Sequence, residues 1–292
     1  MTTRTLSLAV ASLAITSSSV AGLIASESFW VDATAYSDNQ TLQNGENNIN
    51  GNTGFSTSAT WGTNTGTIRV TNNVTGPGTG LTHANLAGGE LPGAINFTVS
   101  YDRNATRLLD PATPSSSTYF LSGLVRTSTT AFASDLDYFA MGFGTGGSIS
   151  KGVHLGIRRN DSFGAGAKRL TAYAGGNFYD LGAAAQDTTY MIVVSLDANA
   201  GGSDTLNAWV HDGSTLSQIV TNQSVETFAS TADLARLVLQ QRVGDANQTN
   251  RAWGDEIRLG TTLDDVYLVP EPSSLALLGL GGLLIARRRR SM

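Results

Sequence analysis

Residues 206–211 read Leu-Asn-Ala-Trp-Val-His, and their alternation is the clearest strand signal in the chain. Leu206, Ala208 and Val210 fall on one face, because successive side chains of a strand point to opposite sides of its sheet. In 236–243, Leu237 and Leu239 likewise share a face. Alternation of this kind predicts sheets with one covered face.

The chain between about residue 26 and residue 269 contains many such short runs, separated by Gly, Asn, Asp and Ser. The predicted strands are 94–101, 118–126, 138–143, 153–158, 169–174, 190–196, 206–211, 237–243 and 256–259. One short segment, 229–237, is a helical candidate. The pattern predicts an all-β fold, either a two-sheet sandwich or a closed barrel. The absence of an internal repeat and the uneven turn lengths favour an antiparallel β-sandwich of jelly-roll type.

The first 25 residues have the order of a secretory signal peptide. Arg4 precedes an apolar stretch at 6–15, and small residues follow at 17–22. Cleavage after Ala21, Gly22 or Ala25 fits this pattern, and the sequence does not choose among them. We expect a signal helix at 1–25 and an exported domain at 26–269.

The last 23 residues contain three parts in order: Pro270-Glu271-Pro272, an apolar run at 273–286, and a basic cluster. The cluster consists of Arg287, Arg288, Arg289 and Arg290. As a helix the run would span only ~21 Å, less than the ~30 Å hydrocarbon layer. The arginines would stay on the cytoplasmic side and act as a membrane stop. Together with the signal peptide, they place residues 26–269 outside the cytoplasm.

This tail resembles the PEP-CTERM sorting signal of exported bacterial proteins. The resemblance implies a short membrane helix within 270–292, held only transiently in the inner membrane. It also implies recognition of Pro270, Glu271 and Pro272 by an exosortase-type membrane protease. That protease would remove the tail and pass the protein to the cell surface or extracellular matrix. An ordinary C-terminal membrane anchor is the alternative.

Composition excludes several classes of partner and chemistry. Without Arg4 and the four tail arginines, 13 basic residues remain against 23 acidic ones. A surface this acidic argues against binding to nucleic acid, whose phosphates require Lys and Arg, and against adhesion to anionic lipid. The chain has no cysteine, which excludes disulfides and thiolate chemistry.

The central region is similar to concanavalin A-like, laminin-G-like sandwich domains. The matching segments are 27–29, 54–55 followed by Trp61, 119–122, 190–197 followed by 201–205, and 255–262. The resemblance implies two antiparallel sheets in a jelly roll. Its first and last strands would be neighbours, with Phe29 near Ile257.

No catalytic set is found. Asp255 and Glu256 form an adjacent acidic pair, but neighbouring strand residues point to opposite faces and cannot flank one bond. We expect a structural Asp255 and a solvated Glu256.

No metal site is assigned. His83, His154 and His211 are far apart in sequence and match no metal-ligand spacing. Calcium is the one cofactor kept open, with Asp135 and Asp137, or Asp102 and Asp110, as contributors. No ligand set is defined for it.

The sequence therefore predicts a non-enzymatic surface or matrix protein that contacts extracellular polysaccharide. Trp61, Tyr173 and Trp209 are the candidate glycan contacts, because aromatic faces stack on sugar rings; packing in the core is the alternative for each. Two other functions stay open: a polysaccharide-cleaving enzyme on the same scaffold, and a structural surface protein without a ligand.

Overall fold

A computed structural model describes most of the predicted domain. The described residues are 22–29, 42, 54–55, 61–64, 68–71, 81, 83, 93–97, 103–110, 117–127, 137–145, 149, 152–198, 202–213, 215–225, 234–242 and 252–267. The expected signal helix up to residue 21 and the expected membrane helix within 270–292 lie outside them. Within the described ranges, no helix has both the length and the apolar character needed to cross a membrane.

The described residues form fifteen strands and one short α-helix. In chain order these are β1 (Leu23–Glu27), β2 (Gly62–Asn64), β3 (Ile68–Thr71), β4 (Ala94–Phe97), β5 (Arg103–Leu108), β6 (Thr118–Thr127), β7 (Tyr138–Gly144), β8 (Gly152–Arg159), β9 (Lys168–Ala174), β10 (Asn177–Ala183), β11 (Thr189–Asp197), β12 (Asp204–His211), β13 (Leu216–Val225), β14 (Arg236–Arg242), β15 (Ala252–Gly260) and α1 (Leu263–Val266). Each of the nine predicted strands overlaps one of them. Residues 98–101 and 243 of the predicted strands lie outside the described part. The helical candidate 229–237 is wrong at its end, where Arg236 and Leu237 belong to β14; residues 229–233 are outside the described part.

The strands build two antiparallel sheets. The eight-stranded sheet has the order β13-β12-β11-β6-β15-β4-β3, with β1 also paired to β15. The seven-stranded sheet has the order β10-β9-β8-β7-β14-β5-β2. In chain order, the strands change sheet after β1, β2, β4, β5, β6, β10, β13 and β14. These are crossovers of the kind that the uneven turn lengths predicted. The all-β, antiparallel architecture is thus confirmed.

One core lies between the sheets, and the predicted faces enter it. Leu206, Ala208 and Val210 of β12 pack in the same cluster as Leu237 and Leu239 of β14. Burial of these apolar side chains stabilises the fold by roughly 25 cal/mol per Å² removed from water. The continuously apolar run 191–196 lies in β11, which is a central strand between β6 and β12.

The first and last strands are neighbours, as the sandwich resemblance implied. Glu27 of β1 pairs with Ile257 of β15, and Leu23 pairs with Gly260. The predicted boundary at Ala25 falls inside β1, so residues 23–25 are part of the sheet. Ile24 and Ala25 are buried in the shared core.

A buried ion pair connects the two sheets. Arg107 Nη1 of β5 donates to Glu27 Oε2 of β1 over 2.9 Å, and both side chains are completely buried. The backbone amide of Phe29 donates to the other oxygen, Glu27 Oε1, at 3.1 Å. The guanidinium also lies over the rings of Phe55 and Trp61, 4.7 and 5.7 Å from their centroids. Charge, hydrogen bond and aromatic contacts therefore hold β1 against the opposite sheet.

Candidate functional site

The three predicted glycan contacts occupy three different environments. Trp61 has an exposed fraction of 0% and stacks on Phe29 at 6.3 Å, so its ring belongs to the core and offers no face to a sugar. Trp209 is half-buried on the outer face of the eight-stranded sheet. Tyr173 lies on the outer face of the seven-stranded sheet and is 7% exposed. The structure does not bring the three residues together.

Tyr173 belongs to a cluster that we name the aromatic face, defined by Tyr138, His154, Arg158, Tyr173 and Phe178. Cross-strand pairing places His154, Tyr173 and Phe178 directly opposite one another on β8, β9 and β10. The Tyr173 and Phe178 ring centroids are 4.6 Å apart, and those of Tyr138 and Phe178 are 5.4 Å apart. Such ring pairs add about 0.5–1.5 kcal/mol beyond their buried area. Tyr173 therefore supports the more accessible Phe178.

Arg158 completes the aromatic face. Its Cζ atom lies 4.6 Å from the centroid of Phe178, and both side chains are partly exposed. Arg158 forms no ion pair with any residue in the described ranges. Its N–H groups can therefore donate to the hydroxyl or carboxylate oxygens of a ligand that rests on Phe178. This is the one place in the described structure where an aromatic ring and an uncommitted guanidinium meet at the surface.

A second arginine borders the aromatic face but is already occupied. Arg169 binds Asp180 with two hydrogen bonds of 2.7 and 2.6 Å, the bidentate geometry of a strong ion pair. Its Cζ atom lies 4.0 Å from the centroid of Phe163, which is 55% exposed. The hydrogen bond to Asp180 raises the pKa of Arg169. Arg169 thus fixes β9 against β10 and keeps Phe163 beside the aromatic face.

His154 lies beneath this surface as a completely buried residue. Neither of its ring nitrogens has a hydrogen-bond partner, and its ring is 6.2 Å from Tyr173 in an edge-on arrangement. Burial lowers the pKa of His154 to about 3, because a charged imidazolium would lose its hydration without gaining a partner. His154 is neutral at physiological pH and packs as part of the face's support.

The acidic pair on β15 departs from the expected alternation. The register with β6 shifts between Asp255 and Arg258, and Glu256 adopts a φ of 48°, the geometry of a β-bulge. Glu256 is buried, so the expectation that it is solvated is wrong; Arg258 donates to its Oε2 at 3.3 Å. Asp255 accepts hydrogen bonds from the amides of Leu81 and Glu256, in agreement with a structural role. Burial first and the Glu256 carboxylate second raise the pKa of Asp255 well above its usual value.

Two histidines that are distant in sequence meet on the outer side of the eight-stranded sheet. The ring centroids of His83 and His211 are 4.5 Å apart, and His83 Nε2 contacts the carbonyl oxygen of His211 at 3.3 Å. Burial lowers the pKa of both rings. No set of three or more His, Asp or Glu side chains suited to a metal ion occurs in the described residues.

The residues named for calcium are only partly described. Asp137 is buried and Asp110 is exposed, while Asp135 and Asp102 lie outside the described ranges. Calcium binding therefore stays a prediction.

The C-terminal segment matches a known protein-sorting motif. Residues 268–290 match the PEP-CTERM protein-sorting motif. The match includes the Pro270-Glu271-Pro272 triplet and all four terminal arginines, so the resemblance recognised in the sequence is confirmed. The chain is an exported protein with the sorting signal that an exosortase processes in the membrane on the way to the cell surface.

The particular relatives are distant. No curated protein matches the chain. Among solved structures, it is similar to an endo-β-1,4-glucuronan lyase from the fungus Trichoderma reesei, at 13% identity and a TM-score of 0.42, over 64% of this chain and 89% of the lyase. A PL-14 alginate lyase from Aplysia kurodai is 12% identical with a TM-score of 0.41, over 61% of this chain and 86% of the lyase. The catalytic domain of a glycoside hydrolase family 131 protein from Coprinopsis cinerea is 12% identical with a TM-score of 0.42, over 62% of this chain and 75% of that domain. Similarity at this level carries no functional argument for this chain.

Proposed function

We propose that the protein is a non-enzymatic component of the cell surface or extracellular matrix that contacts an extracellular polysaccharide through the aromatic face. The observation that carries the proposal is the half-exposed Arg158–Phe178 stack, supported from below by Tyr173. A sugar ring can pack its apolar side against the exposed part of this stack while its oxygens accept hydrogen bonds from Arg158. Both interactions strengthen where part of the water is excluded.

The position of Asp255 argues against it as the acid or base of the catalytic alternative. Asp255 has no exposed surface, and its two oxygens already accept backbone hydrogen bonds. A catalytic acid or base must reach the bond that is cleaved within hydrogen-bond distance. Asp255 in this position stabilises the β15 bulge instead.

We expect Phe178→Ala to weaken polysaccharide binding about tenfold, which corresponds to ~1.4 kcal/mol. The measurement is binding of the exported protein to an immobilised panel of neutral and uronic acid-containing polysaccharides, with and without calcium. Arg158→Gln should weaken binding further in combination with Phe178→Ala. Ile219→Ala is the matched control, because Ile219 is an exposed apolar residue on β13 of the other sheet.

Three results would contradict this proposal. Loss of binding with Trp209→Ala but not with Phe178→Ala would move the contact to the eight-stranded sheet. Shortened or unsaturated polysaccharide products would favour the enzyme. Absence of binding to every polysaccharide in the panel would favour a structural protein without a ligand.

We expect surface-recovered protein to end near residue 270 and to lack Arg287–Arg290. The apolar run is short for a stable span, and Gly279, Gly281 and Gly282 each weaken a helix by roughly 1 kcal/mol relative to Ala. The arginines resist transfer into hydrocarbon at a cost of at least ~2.5 kcal/mol each. Intact-mass measurement of the surface fraction tests this. Glu271→Ala should leave uncut protein in the inner membrane; surface protein that still ends at Met292 would indicate a plain anchor.

A further inference from the structure

The structure distinguishes among the three cleavage positions that the N-terminal sequence left open. Cleavage after Ala25 would remove Leu23 and Ile24 from β1, together with Ala25 itself, and Ala25 is completely buried in the shared core. Leu23 pairs with Gly260 at the end of β15. A mature chain that began at Ser26 would leave this part of β15 without its partner. The folded domain therefore requires the chain from residue 23 onward.

Gly22 is also part of the folded domain. Its carbonyl oxygen accepts a hydrogen bond of 3.1 Å from the amide of Thr261, which extends the β1–β15 pairing by one step. A Cβ atom at this position would overlap with Asp265 Oδ2 and with Thr261 Oγ1. A residue other than glycine would not fit here without movement of α1. The domain thus begins at Gly22.

Asp265 is the residue that organises this corner. Its Oδ2 accepts hydrogen bonds from the amides of Thr261 and Thr262 at 3.0 and 2.8 Å, and it closes the N-terminus of α1 in a capping box. The side chain is 7% exposed. A nearly buried carboxylate is stabilised by an opposite charge at close range. No Lys, Arg or His side chain in the described ranges forms an ion pair with it.

We propose that the signal peptide is removed between Ala21 and Gly22, and that the new α-ammonium group of Gly22 pairs with the carboxylate of Asp265. Water hydrolyses the Ala21–Gly22 amide, leaving a carboxylate on Ala21 and an ammonium group on Gly22. The nitrogen is one bond from the Gly22 Cα, and the Asp265 carboxylate occupies the space that a Cβ on this Cα would fill. The sequence agrees, because Ser19 and Ala21 place small residues at the third and first positions before the cut. Cuts after Gly22 and Ala25 have Val20 and Leu23 at the third position.

The pair would join the two processed ends of the domain. Gly22 is where the signal segment leaves the fold, and Asp265 lies three residues before the sorting motif, which starts at residue 268. Both membrane-directed segments therefore leave from one corner and can reach the same bilayer while the domain is folded. This proposal rests on export of the chain but not on the polysaccharide contact.

The first test is N-terminal sequencing and intact-mass measurement of protein recovered after export. An N-terminus at Gly22 is expected. An N-terminus at Leu23 or Ser26 overturns the proposed cleavage while leaving export intact. An uncleaved chain that still begins at Met1 overturns both the cleavage and the signal peptide itself.

The second test measures the pKa of the Gly22 amine by ¹³C-methylation and NMR titration of the mature protein. Pairing with Asp265 is expected to raise it at least ~0.5 units above the ordinary value of about 8. Asp265→Asn should return the pKa to about 8, but this change can also disturb α1. A serine inserted between Ala21 and Gly22 is the second variant, since it moves the ammonium group one residue away and leaves Asp265 in place. An unshifted amine in the wild-type protein, or an equal shift in the insertion variant, contradicts the ion pair.

Discussion

Replacing Arg107 with methionine is expected to destabilise the domain by about 3–5 kcal/mol. The methionine keeps apolar contact with Phe55 and Trp61 but leaves the Glu27 carboxylate buried without its cation. For a domain of this size the loss corresponds to a fall in melting temperature of roughly 6–20 °C. Thermal and urea unfolding of the exported protein would measure it.

The double variant Glu27→Gln with Arg107→Met separates the cost of an unpaired charge from the loss of packing. In the wild-type protein the Phe29 amide donates to Glu27 Oε1. The oxygen of a glutamine at this position can accept the same hydrogen bond, and the glutamine carries no charge. We expect the double variant to recover most of the stability lost in Arg107→Met. If the single variant costs less than ~1 kcal/mol, or if the double variant is no more stable than the single one, the ion pair does not hold the sheets together.

Sequence patterns predicted strands most clearly where a long strand has one buried and one distinct outer face. β12 and β14 are such strands, and their apolar positions enter the shared core as expected. β13 was missed because it lies at the edge of its sheet and is mostly exposed on both faces, so its sequence does not alternate. β1 was missed because its apolar residues directly follow those of the signal peptide and were counted with them.

The aromatic face depends on strand register, which alternation alone does not give. Gly175 and Gly176 both have positive φ, 55° and 81°, and form a two-residue turn between β9 and β10. Paired glycines between two strands are a hairpin signal that fixes register. That signal would have placed Phe178 opposite Tyr173 from the sequence. The position of Arg158 depends on the longer connection between β8 and β9, and no local pattern gives it.

Asp255 and Glu256 show a second limit of prediction from strand alternation. Strict alternation predicts opposite faces for Asp255 and Glu256, but a bulge inserts an extra residue and changes the direction of the chain. Glu256 is not glycine, so its left-handed conformation has no signature in the residue type. The Leu81 amide, which donates to Asp255 from far away in sequence, stabilises this geometry and is invisible to any local window. Arg258, which donates to Glu256, is only two residues away.

Acidification is expected to destabilise the domain through His154. The pKa of His154 is about 3 in the folded state, against about 6.5 in the unfolded chain. The unfolded state therefore binds a proton at a pH where the folded state does not. The stability associated with neutral His154 is fully present above pH ~6.5 and is lost as the pH falls from there towards about 3, by up to ~1.4 kcal/mol per pH unit.

His154→Gln isolates this effect, because glutamine does not titrate. Between pH 6 and pH 4.5 the wild-type protein should lose about 2 kcal/mol more stability than the variant, measured by urea unfolding at each pH.

The other titrating groups are the same in both proteins. Asp255 acts in the opposite direction to His154, because its raised pKa removes stability as the pH rises above the ordinary pKa of an aspartate. His83 and His211 also remain in both proteins, so their contributions cancel in the comparison. The variant starts from a lower stability, since a buried amide has no partner there. Only the slopes are compared, and parallel pH profiles would mean that His154 is hydrated or protonated in the folded protein.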